Sequence, residues 1–148
     1  MPTMFGAIFM LARQTGALGR RIPTLARNDP VSEQLANEVA RNIKALDKFI
    51  GGDGFACCDR ITLADCALVP GLFFVEIVMP AVGIGSPISA LANVAAYWTE
   101  VQKNEHAARV LIELHRGLEE RREKIRSGES ERFRAARTAA QREADAQD

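Results

Sequence analysis

Cysteine is scarce in this chain of 148 residues, which has only Cys57, Cys58 and Cys66. Three clustered thiols are too few for a disulfide framework, so we expect a reducing, cytoplasmic location. The neighbours Cys57 and Cys58 could form a strained vicinal disulfide or a redox site. Two small side chains in a loop are the simpler interpretation, because reactivity would require both exposure and a lowered pKa.

Net charge is also absent, since 19 basic side chains balance 19 acidic ones. This balance gives no electrostatic reason to expect a nucleic-acid partner. The N-terminal segment is uneven, because its arginines all precede the first acidic residue, Asp29. That pattern is typical of a transit peptide, but the apolar run from Met4 to Ala12 favours a first helix instead. The arginines are Arg13, Arg20, Arg21 and Arg27.

Signals for metal or cofactor chemistry are missing as well. His106 and His115 are nine residues apart on one predicted helix and about half a turn out of phase at roughly 100° per residue, so they cannot ligate one metal together. The cysteines lack a second Cys or His pair at zinc spacing, and the segment 83–85 is too short for a phosphate loop. We therefore predict no catalytic, metal-binding or cofactor-binding residue.

No window shows sustained alternation of period two, which argues against a sheet, whereas apolar stripes of helical period recur along the chain. We predict an all-α bundle of about five helices within a domain spanning residues 1–126. Residues 127–148 contain Phe133 as their one large apolar side chain, which predicts a solvated helical or disordered tail. The predicted helices cover Thr3 to Leu18, Ser32 to Ile50, Thr62 to about Met79-Pro80, Ile88 to Val101 and Ala107 to Leu118.

The third of these helices has the clearest start signal. Thr62 is a good N-cap, because its side-chain oxygen can accept from the N–H of Asp65 while the Asp65 carboxylate accepts from the N–H of Thr62. Pro70 should bend the helix, because proline removes its own N–H. The apolar segment 66–85 could span a membrane by length, but the charged Glu76 within it favours a buried core helix and no membrane partner.

These residues resemble a known family. The segment from Ala36 to about Arg122 resembles the C-terminal all-helical domain of the cytosolic glutathione transferases. The resemblance is carried by the run from Ile61 to Cys66, by Pro70 in the apolar helix that follows, and by the pair Tyr97-Trp98 about thirty residues later. Members of that family start their central buried helix with a similar capping box and a hydrophobic staple, and the resemblance makes Ile61 the staple residue.

The chain departs from the family pattern in three places. Cys58 stands where the family usually has glycine, so a left-handed turn there would be strained unless the loop is rebuilt. Asn104 stands where the last helix is often preceded by proline, and asparagine can cap that helix instead. The thioredoxin-like domain, which binds glutathione and supplies the activating side chain in the family, has no counterpart in this sequence.

The resemblance implies a glutathione S-transferase-like protein, a fragment or a shortened member, that does not catalyse conjugation alone. Glutathione would bind only if a thioredoxin-like domain were supplied. The partners that the resemblance implies are a second copy of the chain, in a homodimer, or a thioredoxin-like domain. Phe5 and Phe9 could line a pocket for a small hydrophobic ligand, although packing against the second helix is the competing interpretation. The alternative function is a non-catalytic helical module for protein–protein interaction.

Overall fold

The computed structural model describes residues 4–18, 29–51 and 53–128. This part of the chain consists of five α-helices with turns between them and contains no strand. The prediction of an all-α bundle of about five helices is confirmed. The helices are α1 (Met4–Thr15), α2 (Pro30–Leu46), α3 (Leu63–Ala81), α4 (Ala92–Val101) and α5 (Glu105–Arg126).

Helix α3 lies at the centre of the bundle and packs against α1, α4 and α5, while α1 packs most extensively on α2. By length and composition alone α3 could cross a membrane. The central helix of a bundle has the same properties, and the α3 side chains Leu72, Val75 and Val78 are fully buried in this core. Among the residues that the structure describes, the apolar character of α3 is therefore explained by packing.

Helix α3 continues through both of its prolines and ends at Ala81, within two residues of the predicted end. Pro70 has no N–H to offer the carbonyl of Cys66, so one rung of the helical hydrogen-bond ladder is missing there. The bend expected at Pro70 stays a prediction.

Helix α4 begins at Ala92, so the prediction that it starts at Ile88 is wrong. Ile88 is buried from a turn, which the N–H of Leu91 closes by donating to the carbonyl of Ile88. Asp47, just after α2, caps α4 from a distance: its Oδ1 accepts from the backbone N–H of Asn93 over 2.9 Å and of Val94 over 3.0 Å. Apolar spacing alone cannot separate a turn that buries Ile88 from the helix that follows it.

A similar difference occurs at the end of α2, which stops at Leu46 although its apolar stripe continues to the buried Ile50.

The expected cap of α5 is present, because Oδ1 of Asn104 accepts from the N–H of His106 over 3.0 Å. Residues 129–148 and three of the four N-terminal arginines lie outside the described residues, so the predicted tail and the transit-peptide alternative stay predictions.

Candidate functional site

The centre of the site is the first turn of α3, where Thr62 is the N-cap residue and Asp65 is the third residue of the helix. The backbone N–H of Thr62 donates to Oδ2 of Asp65 over 2.8 Å. The Thr62 hydroxyl donates to the same oxygen over 2.9 Å. These two bonds fix the direction in which the chain enters α3, because both donors of Thr62 bind one carboxylate oxygen in the first turn of the helix.

The other carboxylate oxygen of Asp65 makes long-range bonds. Its Oδ1 accepts from the backbone N–H of Ala56 over 2.8 Å and from the Tyr97 hydroxyl over 3.0 Å. Asp65 is 1% exposed and Tyr97 is fully buried. One carboxylate thus joins the loop before α3, the start of α3 and the middle of α4.

The four hydrogen bonds determine the charge state of this cluster. Burial raises the pKa of Asp65, but the hydrogen bonds from Thr62, Ala56 and Tyr97 outweigh it and hold that pKa below its ordinary value. Burial, together with the nearby Asp65 charge, raises the pKa of Tyr97 far above its usual range. The pair is therefore a carboxylate that accepts and a neutral phenol that donates.

The loop before α3, residues 53–62, has two left-handed positions. Gly54 is buried with φ +88°, and Cys58 is exposed with φ +63°. Cys58 therefore adopts the left-handed turn that glycine suits better, and the loop is not rebuilt to avoid it. A non-glycine residue in this conformation costs roughly 1–2 kcal/mol, which the Asp65 bond to Ala56 helps to offset. Ile61 is half-buried against the core, and its role as a staple stays a prediction.

A small apolar hollow of about 120 Å³ lies between the start of α3 and the start of α5. Cys66, Pro70 and His106 line it beside aliphatic residues. The hollow therefore offers room for a small apolar group. Its lining residues are Ile61, Asp65, Cys66, Val69, Pro70, His106, Ala107 and Val110.

Phe9 lies elsewhere, on α1, where its ring is 47% exposed and sits 5.1 Å from the ring of Phe74 on α3. Phe74 in turn meets Phe73 edge to face, and Phe73 meets His115 of α5 at 4.8 Å between ring centroids. Phe5 belongs to α1, but its side chain lies outside the described residues. The role of Phe5 and Phe9 in ligand binding stays a prediction, and Phe9 contacts α3.

Of the two histidines, His106 lines the hollow, whereas His115 packs against the Phe73 ring. In the ranges that the structure describes, no three His, Cys, Asp or Glu side chains are grouped so as to hold a metal ion. Sequence reasoning missed the bond between Tyr97 and Asp65. The available signal was that a buried tyrosine hydroxyl requires an acceptor.

The described part of the chain is thus an all-helical domain. Its central helix is anchored at its start by a buried carboxylate. Comparison with known families agrees with this: residues 29–98 match the model of the glutathione S-transferase, C-terminal domain. The match runs from the cap of α2 through α3 to Trp98 in α4 and covers just under half of the chain. No curated protein and no solved structure gives a significant match.

The predicted resemblance is therefore confirmed: residues 29–98 match the glutathione S-transferase C-terminal domain family. Thr62, Asp65, Pro70 and Tyr97 all lie inside the matched segment. Helix α1, which carries Phe9, and helix α5 lie outside it.

Proposed function

We propose that this chain acts as the helical domain of a glutathione S-transferase-like protein and does not activate glutathione by itself. The observation that carries the proposal is the family match over residues 29–98, combined with the buried Asp65 cluster inside it. The buried cluster holds α3, α4 and the preceding loop together. On this proposal the glutathione site belongs to a thioredoxin-like domain that docks against the helical one.

The state of Tyr97 supports a role without catalysis. Activation of a thiol requires a hydrogen-bond donor that reaches the sulfur and stabilises the thiolate. The chain has a single tyrosine, and its hydroxyl is fully buried and already donates to Asp65. That hydroxyl serves packing, so it cannot also reach a bound tripeptide.

The contribution of the helical domain would be apolar contact with a small hydrophobic co-substrate. Phe9 supports this part of the proposal because nearly half of its ring is exposed while the rest packs on Phe74. A cytoplasmic location is proposed on the basis of the three cysteines, which are all exposed and unpaired.

Steady-state conjugation of glutathione with an aryl halide tests the proposal directly. The conjugation rate with the purified chain should equal the rate in buffer alone, because Tyr97 is unavailable and the proposal assigns the glutathione site to another domain. The Tyr97→Phe variant is the matched control and should give the same rate. A saturable rate that is proportional to the concentration of the chain, and lost in Tyr97→Phe, would contradict the proposal.

A second candidate function, a helical interaction module, is favoured by the apolar side chains that the described helices leave in solvent. Leu63 is 88% exposed at the start of α3, Phe49 is 84% exposed after α2 and Ile112 is 66% exposed on α5. Large apolar side chains at such exposure are typical of surfaces that bind a partner or a second copy when they form a patch.

Sedimentation velocity at micromolar concentration tests the interaction module. Self-association is expected, and Leu63→Glu should weaken it, because a glutamate keeps the first turn of α3 favourable while it removes the apolar contact. Gln34→Glu, at an exposed position near the start of α2, adds the same single negative charge and is the control. A strict monomer over the whole concentration range would count against this candidate.

A further inference from the structure

The exposed pair Cys57 and Cys58 has chemistry that the proposed function does not use. Both thiols are free, and both lie on the loop just before α3. The third cysteine, Cys66, is exposed on α3 and faces the apolar hollow. The chain therefore presents two adjacent thiols on a loop and a separate third thiol that serves as an internal comparison.

The two loop thiols belong to adjacent residues, and one of them contacts the N-cap residue of α3. The Sγ of Cys57 lies 3.5 Å from Oγ1 of Thr62, the N-cap residue of α3. Cys58 follows Cys57 directly in the chain and has a left-handed backbone with φ +63°. The charge of the neighbouring Cys57 raises the pKa of the Cys58 thiol. Two exposed thiols therefore stand on adjacent residues of one loop.

Two adjacent thiols suit some ligands better than others. A structural zinc ion takes four ligands and a catalytic one three protein ligands, and the described residues bring no third donor to the pair. A direct disulfide between adjacent residues closes a small, strained ring, and its formation requires an oxidant. One bridging atom that takes two sulfur donors gives a larger ring, and soft thiolates favour a soft, thiophilic centre.

We propose that Cys57 and Cys58 form a binding site for a monosubstituted trivalent arsenical. In the hydrated form the arsenic carries two hydroxyl groups, and each thiol replaces one of them. Two S–As bonds form, two As–O bonds break, and the thiol protons leave with the hydroxyl groups as two molecules of water. No oxidant or reductant is required, and the organic substituent on arsenic is unchanged. The site is independent of the function proposed above.

Titration of the full-length chain with phenylarsine oxide tests the site, with intact mass and free thiols as readouts. One arsenical should bind per chain and remove two of the three titratable thiols. Excess 1,2-dithiol should reverse binding, whereas a monothiol at equal sulfur concentration should not. Cys57→Ser and Cys58→Gly should each weaken binding by about 10²-fold or more, because the second bond is then no longer intramolecular. Cys58→Gly also suits the left-handed backbone, so this variant keeps the loop conformation.

Cys66→Ser is the matched control and should bind the arsenical as the parent chain does. A thermal melt with phenylarsine oxide shows which state is bound, because a ligand of the folded form raises Tm by mass action. Binding that survives in Cys57→Ser and Cys58→Gly, or that is lost in Cys66→Ser, would overturn the proposal. A fall in Tm would overturn it too, since the thiols would then be taken only from the unfolded chain.

Discussion

Replacement of Asp65 by alanine is expected to lower the free energy of unfolding by about 3–5 kcal/mol. The substitution leaves the buried Tyr97 hydroxyl and the Ala56 N–H without their acceptor, and each such orphaned donor costs about 1–3 kcal/mol. The two Thr62 bonds at the helix cap are lost as well, for about 0.5–2 kcal/mol. Urea denaturation followed by circular dichroism measures the change.

Tyr97→Phe is the matched control, because it removes a single donor and leaves three bonds on the carboxylate. It should cost about 0.5–1.5 kcal/mol, the net contribution of one hydrogen bond. The double variant Asp65→Ala, Tyr97→Phe should be less destabilised than the sum of the single ones, because no buried phenol then lacks an acceptor. A loss of less than 1 kcal/mol in Asp65→Ala would contradict the assignment of this carboxylate as the anchor of the site.

The contribution of Asp65 to the free energy of unfolding depends on pH. The folded pKa of Asp65 lies below its unfolded value, which is about 3.9 for aspartate. The stability that the carboxylate contributes is therefore fully present above about pH 4 and is lost as the pH falls through the lower folded pKa. The difference in stability between the parent chain and Asp65→Asn should accordingly shrink below about pH 4.

Much of the fold could be predicted from local sequence because its signals are local. The apolar stripes with a helical period predicted five helices, and the spacing of Thr62 and Asp65 located the start of α3 within one residue. The two helix-boundary differences have one cause. Ile50 and Ile88 continue an apolar stripe beyond the helix itself, since a turn can bury a side chain as well as a helix can.

The site could be predicted only in part, because its decisive contacts join residues far apart in sequence. Tyr97 donates to Asp65 across 32 positions, and Asp47 caps α4 across 46. Neither pairing leaves a periodic signal. The left-handed Cys58 is a third case: its own side chain gives no hint of positive φ, and only the resemblance, through the glycine that the family has there, pointed to a left-handed turn.

Gly54→Ala is the second substitution with a large expected effect, about 2–4 kcal/mol of unfolding free energy. Gly54 has φ +88°, which costs an alanine roughly 1–2 kcal/mol. The added Cβ would also stand 2.8 Å from Cβ of Glu100 and 3.2 Å from its carbonyl carbon, with the backbone nitrogen of Val101 at 3.3 Å. Backbone atoms of α4 cannot move aside cheaply, so overpacking adds about 1–3 kcal/mol.

Two further glycines separate the contributions to this effect. Gly128→Ala tests positive φ alone, because φ is +70° there and nothing lies within 4 Å of the added Cβ. Gly85→Ala also has open space and no positive φ, so it should change stability by no more than about 0.5 kcal/mol. Gly54→Ala should exceed both, measured by chemical denaturation of all three variants. If Gly54→Ala were as stable as Gly128→Ala, the loop before α3 would not be packed against α4, and the Asp65 bond to Ala56 would lose its structural basis.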